Sequence, residues 1–142
     1  MDPKTTAAQL RCPTGQSGIE AAEKMNLTNR ETNLSVFAEL DVCAGDSILE
    51  IGPGNGGLVP SLLADTENVR YTGIDWSQEM VDEALQRNGK LQNVDFVRGS
   101  SDNLPFANAI FNKVFCVHTI YFWNRPETHL AEAARVLSPG GR

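Results

Sequence analysis

Behind the short apolar run that ends at Ile51, the sequence reads Gly52-Pro53-Gly54-Asn55-Gly56-Gly57 and then resumes as an apolar stretch over residues 58–63. Alternate glycines in this setting describe a strand that passes through a side-chain-free turn into a helix. Glycine has no β-carbon, so such a turn can take positive φ and let a ligand lie on the backbone, while the free N–H groups of a helix start favour electron-rich groups. Asp75 stands about twenty residues further on, the separation at which nucleoside-binding turns carry a second, acidic contact. The chemistry this predicts is capture of a nucleoside-like ligand. Gly52, Gly54 and Gly57 also satisfy G-x-G-x-x-G, so a dinucleotide stays open as an alternative. No Ser/His/Asp or Cys/His set with motif context appears, and nothing resembles an activated nucleophile. His118 reads equally as a core histidine or a pocket residue. Tyr121, Phe122 and Trp123 read as pocket wall or core, and His129 as a helix-surface residue.

The chain has 142 residues, about one domain, which is enough for a core without disulfides or a metal. Hydrophobic residues make up 41% and charged residues 21%, proportions that exclude a mainly disordered chain. The net charge of −6 comes from 18 acidic and 12 basic residues without a basic run. That argues against an electrostatic grip on nucleic acid or anionic lipid and favours a small-molecule ligand. Cys12, Cys43 and Cys116 lack C-x-x-C spacing and come with only two histidines, which fits reduced thiols in the cytoplasm and no metal site. No basic patch followed by an apolar segment of about 7–15 residues opens the chain, so no export signal is read. The apolar stretches at residues 114–117 and 120–123 fall far short of the ~20 residues that span a bilayer.

The elements that must position the glycine turn and Asp75 alternate in type. Residues 1 to about 18 carry Pro3, Pro13, Gly15 and Gly18 and read as an irregular arm. Helical spacing follows over residues 19–25 and 31–40, with Thr28 or Asn29 as caps between them. Strands are predicted at residues 47–51, 69–74, 94–97 and 114–117, and helices at 58–64, from Ser77 to Asn88-Gly89, and from Pro126 onward with Leu130, Ala133, Ala134 and Leu137 on one face. This alternation predicts an α/β fold: a Rossmann-like, doubly wound parallel sheet with helices on both faces and right-handed crossovers. Residues 1–45 would form an N-terminal arm and helices covering the site, and residues 46–142 the ligand-binding core. In such sheets ligands bind beyond the carboxyl ends of the strands, where the glycine turn, Asp75, the loop from Gly99 and His118 all fall.

Four segments in order and spacing make the chain resemble the class I S-adenosylmethionine-dependent methyltransferases, of the small-molecule type similar to the ubiquinone and menaquinone biosynthesis enzymes. They are LEIGPGNG at 49–56, GIDWSQEM at 73–80, NLPF at 103–106 and RVLSPGG at 135–141. The resemblance spans residues 47–142 and implies S-adenosylmethionine as cofactor and a small-molecule methyl acceptor. It implies that Glu50, Gly52, Gly54 and Gly56 approach the methionine and ribose portions, with the acid anchoring the amino end. It also implies that Asp75 accepts hydrogen bonds from the ribose hydroxyls and that Trp76 packs on the adenine, with Met80 and His118 among the cofactor-binding positions. Met25 and Asn26 would lie near the sulfonium. Where an acceptor must lose a proton, His118 or Tyr121 is the candidate base.

Two departures from the pattern stand out. The family commonly reads Gly-Asp-Ala ahead of Leu-Pro-Phe, and here it is Gly99-Ser100-Ser101, so a hydroxyl of Ser100 or Ser101 would bond the adenine more weakly, or Asp102 would reach in. Asn112 replaces a common Asp before the fourth strand and is read as structural. Family members also continue past Pro-Gly-Gly into a fifth strand and an antiparallel pair. The expected strand order is then 3-2-1-4 with the fourth strand an exposed edge, which fits a fragment, a truncated product, or a homodimer formed through that edge. Two functional alternatives remain beside methyl transfer: a non-catalytic or truncated S-adenosylmethionine-binding domain, and a nicotinamide-dependent oxidoreductase.

Overall fold

A single parallel sheet is formed by β1 (Ser47–Ile51), β2 (Arg70–Asp75), β3 (Val94–Arg98) and β4 (Lys113–Cys116), in the order β3-β2-β1-β4. The computed structural model describes residues 2–142. Glu50 stands opposite Gly73 in one neighbour and Phe115 in the other, so β1 is central. A parallel strand covered on both faces must be apolar throughout, and Ile48, Leu49 and Ile51 are all buried.

Side chains alternate between the two faces. Ile48, Tyr71, Phe96 and Phe115 pack with Leu40, Val59, Leu62, Val81 and Ala84 from α3 (Arg30–Leu40), α4 (Val59–Leu63) and α5 (Gln78–Asn88). Leu49, Ile51 and Ile74 pack on the other face with Leu104, Phe111 and Val136, the last from α6 (Pro126–Val136). The layered α/β arrangement is the one expected from the sequence.

The amino-terminal segment is not an irregular arm. Pro3–Arg11 is a helix, α1, because the Asp2 carboxylate accepts from the Lys4 and Thr5 N–H groups at 2.9 and 3.2 Å and Pro3 supplies a preset first turn. α2 (Gly15–Thr28) also begins earlier than its periodicity suggests. α2 and the turn before it are tied to the core. The Ser77 hydroxyl donates to the Pro13 carbonyl at 2.6 Å, Glu79 accepts from the Gly15 N–H, Arg87 pairs with Glu23, and Asn26 Nδ2 donates to Asn55 Oδ1 at 2.9 Å.

At the amino ends of β1 and β4 lies a polar clasp. Asn112 accepts from the Ser47 N–H at 2.6 Å through Oδ1 and donates to Asp46 through Nδ2, while Lys113 pairs with Asp46 at 2.9 Å and bonds the Asp41 carbonyl. Asn112 is thus structural. The sequence leaves the outer edge of β4 bare, yet the beginning of that edge is covered by the chain's own end. Phe111 bridges Leu137, the Arg142 N–H donates to the Asn112 carbonyl at 3.1 Å, and the Val114 N–H donates to the Arg142 carbonyl at 3.0 Å. Among the described residues no helix is long and apolar enough to cross a membrane.

Candidate functional site

A cavity of about 520 Å³ opens where the four strands end, and each strand exit contributes to its wall. From β1 come Gly52, Pro53, Gly54 and Asn55; from β2, Asp75 and Trp76; from β3, Gly99 to Asp102; and from β4, Val117 to Thr119. The amino-terminal helices and their connections close another side with Pro13, Met25, Asn26, Asn29 and Asn33.

Gly54 is the residue that shapes the floor. Its φ is +58°, which L side chains rarely adopt, and a β-carbon there would meet nothing within 4 Å, so the position is open to a ligand. Its N–H donates to Asp75 Oδ2 at 3.0 Å, while Asp75 Oδ1 accepts from the Ser77 N–H at 2.9 Å. Gly56, also at positive φ, does something different, since a β-carbon there would collide with Asn88, Ala84 and Phe96. It therefore lets the turn close on α5 and β3 and does not line the cavity. Met80 is likewise fully buried behind the wall, so both residues support the site from outside it.

Two carboxylates sit at neighbouring exits. Glu50 is buried and accepts a hydrogen bond from the Tyr71 hydroxyl. Burial pushes its pKa up to about 7; the Tyr71 hydrogen bond opposes the shift and the Asp75 charge adds to it. The same burial, with Glu50 beside it, raises the Tyr71 phenol well above its ordinary value. Asp75 is raised by desolvation against the backbone hydrogen bonds it accepts from Ser77, Gly54 and Trp76.

Trp76 stands at the rim, 57% exposed, and Ser100 and Ser101 form part of the wall. His118 lines the cavity at φ +58°, and its Nε2 is buried without a partner. Tyr121 is 73% exposed and stands outside the wall, with its hydroxyl 3.4 Å from His118 Nδ1. Three of the four unpaired buried side-chain atoms among the described residues, on Asn55, His118 and Thr119, belong to this wall. A polar ligand is what such a wall fits, because unpaired buried polar atoms are costly.

His129 is not a surface residue. It is 9% exposed, stacks on Trp123 with ring centroids 4.6 Å apart, and places Nδ1 2.7 Å from Ser101 Oγ. Periodicity selects Leu130 as the inward residue, yet Leu130 is 54% exposed, and the face of α6 that meets the β3–β4 loop is the one carrying His129, Glu132 and Arg135. Asn55 was also missed; its amide joins α2 to the glycine turn. The Ser101–His129 pair has no carboxylate on the second ring nitrogen among the described residues, so it lacks the orienting acid of a hydrolytic triad.

A family model described as a methyltransferase domain matches residues 49–142. Phthiotriol/phenolphthiotriol dimycocerosates methyltransferase of Mycobacterium tuberculosis is 32% identical over 123 residues, covering 87% of this chain and 45% of the relative. The chain thus spans about half the length of the curated relatives it matches first. Among solved structures, a chain from a complex between the Haloferax volcanii Trm112 methyltransferase activator and a methyltransferase superimposes with a TM-score of 0.77 at 29% identity, covering 84% of this chain and 53% of that one. An S-adenosylmethionine-dependent methyltransferase from Aquifex aeolicus gives a TM-score of 0.69 at 25% identity, covering 98% and 69%.

Proposed function

Because the chain belongs to the class I S-adenosylmethionine-dependent methyltransferase family, we propose that it holds S-adenosylmethionine in this cavity and directs the cofactor's methyl group to a small-molecule acceptor. The observation that carries the reading is the joining of Gly54 to Asp75: an open, side-chain-free floor beside a fixed carboxylate at the adjacent strand exit.

Bound S-adenosylmethionine supplies a methyl group already activated by its positive sulfur. What is left to the protein is positioning and the exclusion of water, which are worth roughly 7–11 kcal/mol when the geometry is right. Both Asp75 oxygens are anchored by backbone N–H groups, Oδ2 by Gly54 and Oδ1 by Ser77, and keep further lone pairs for the ribose hydroxyls. Glu50, on the neighbouring strand, faces the amino end and complements its positive charge. Met25 and Asn26 line the wall from α2, and this reading puts them near the sulfur. His118, with a buried unpaired nitrogen, takes a proton where the acceptor must lose one. The three free cysteines support a cytoplasmic protein.

Calorimetric titration with S-adenosylhomocysteine, with NADH as control, tests the reading. Saturable binding of the first alone is expected, followed by formation of S-adenosylhomocysteine in an acceptor screen. Tighter binding of NADH would return the site to a nicotinamide-dependent oxidoreductase, and cofactor binding without turnover of any acceptor would leave a binding module.

A further inference from the structure

Helix α6 carries His129, Glu132 and Arg135 at three-residue spacing, and all three reach the loop between β3 and β4. Glu132 accepts from the Leu104 N–H at 2.7 Å, and Arg135 donates to the carbonyls of Leu104 and Phe106 at 3.0 and 2.8 Å. His129 Nδ1 meets Ser101 Oγ, and only this contact of the series joins two residues of the cavity wall. The His129 and Trp123 rings lie within 2° of parallel, so packing fixes the ring plane and with it the direction of Nδ1.

Strand order places Ser101 in the cavity. β2 lies between β3 and β1, so the β3 exit is on the far side of Asp75 from Glu50 and Asn55. With a ribose held at Asp75, an amino-acid group suits the carboxylate and amide side, and the base is left to the β3 side. A serine hydroxyl there does not discriminate by itself, since it can donate or accept.

We propose that His129 is a positioning residue for purine recognition: held against Trp123, it accepts the Ser101 proton at Nδ1, so that Ser101 turns a lone pair to the cavity and selects a 6-amino purine over a 6-oxo purine. The inference rests on the cofactor reading above. It assigns His129 the tautomer with its proton on Nε2, the nitrogen that has no hydrogen-bond partner among the described residues.

Titration with S-adenosylhomocysteine and with its 6-oxo analogue, S-inosylhomocysteine, reads the effect as a ratio of two affinities. The unaltered chain favours the 6-amino ligand. His129→Phe keeps the stack and removes Nδ1; it and Ser101→Ala each reduce the preference by about fivefold, the size of one neutral hydrogen bond, and the double variant reduces it no further. Ser101→Ala carries the test alone if His129→Phe does not fold. Weakening of both ligands in equal measure, or an unchanged ratio, overturns the inference while cofactor binding stands. Binding of neither ligand by the folded, unaltered chain overturns the cofactor reading itself.

Discussion

Replacing Glu50 with Gln is expected to stabilise the ligand-free protein at alkaline pH and to leave its stability nearly unchanged in acid. Burial raises the Glu50 carboxyl from 4.5 to about 7 in the folded chain. Well below pH 4.5 the group is protonated in both states and costs nothing extra. As pH rises through 4.5 the unfolded chain releases this proton while the folded chain keeps it, so stability falls until the folded carboxyl also ionises near 7. Above that the penalty is constant, on the order of 3 kcal/mol for a shift of this size. Gln keeps an acceptor for the Tyr71 hydroxyl and cannot ionise. At roughly 3 °C per kcal/mol for a chain of this length, Glu50→Gln should melt about 10 °C above the parent at pH 8 and within a few degrees of it near pH 4.5. Paired thermal and urea melts at the two pH values measure this. A difference that is the same at both would refute the reasoning, because it would mean that Glu50 ionises as an ordinary carboxyl. The same variant should bind S-adenosylhomocysteine less tightly if, as proposed, this costly charge faces the ligand's amino end.

Asp75→Ala should weaken S-adenosylhomocysteine binding by about 1.5–3 kcal/mol, as for a lost charged hydrogen bond; unchanged affinity in a folded variant would remove its ribose role. Gly54→Val places a side chain in the open floor at a left-handed φ, at a cost of roughly 1–2 kcal/mol in stability and with loss of detectable titration heat. Normal binding would show that the ligand lies elsewhere. Lys113→Met strands the buried Asp46 carboxylate, and urea denaturation should show a loss of about 3–5 kcal/mol. A loss under about 1 kcal/mol would mean that Asp46 finds compensation from the Asn112 amide and from the Cys43 N–H, which donates to its Oδ2 at 2.7 Å.

The sheet was legible because a parallel strand covered on both sides must be written in apolar residues: Ile48-Leu49-Glu50-Ile51 leaves little else to be read. α5 was legible for another reason, since the Ser77 hydroxyl accepts from the Met80 N–H and Met80, Val81 and Ala84 share the buried face. α1 was not, because its start depends on one carboxylate, Asp2, amid prolines and glycines that usually signal loops. The carboxyl-end positions of the site followed from the alternation of elements. His129 escaped because a helix face that packs on a hydrogen-bonded loop is polar, and hydrophobic periodicity then points the wrong way. The split between Gly54 and Gly56 also escaped, since one glycine facing a ligand and one pressed against a helix are the same letter in a sequence.

The polar clasp of Asp46, Asn112 and Lys113 has a bearing on how mutational scans of this protein should be interpreted. It pins the register of β1 against β4 at the end of the sheet away from the cavity. Side chains in a strand alternate, so a slip of one residue would exchange the faces of Glu50 and Ile51. Variants at positions 46, 112 and 113 would then score as ligand-binding defects without touching a ligand. A map drawn from such phenotypes alone would show two separate hot regions for one pocket, and a melt beside each titration separates the one that holds the ligand from the one that holds the strands.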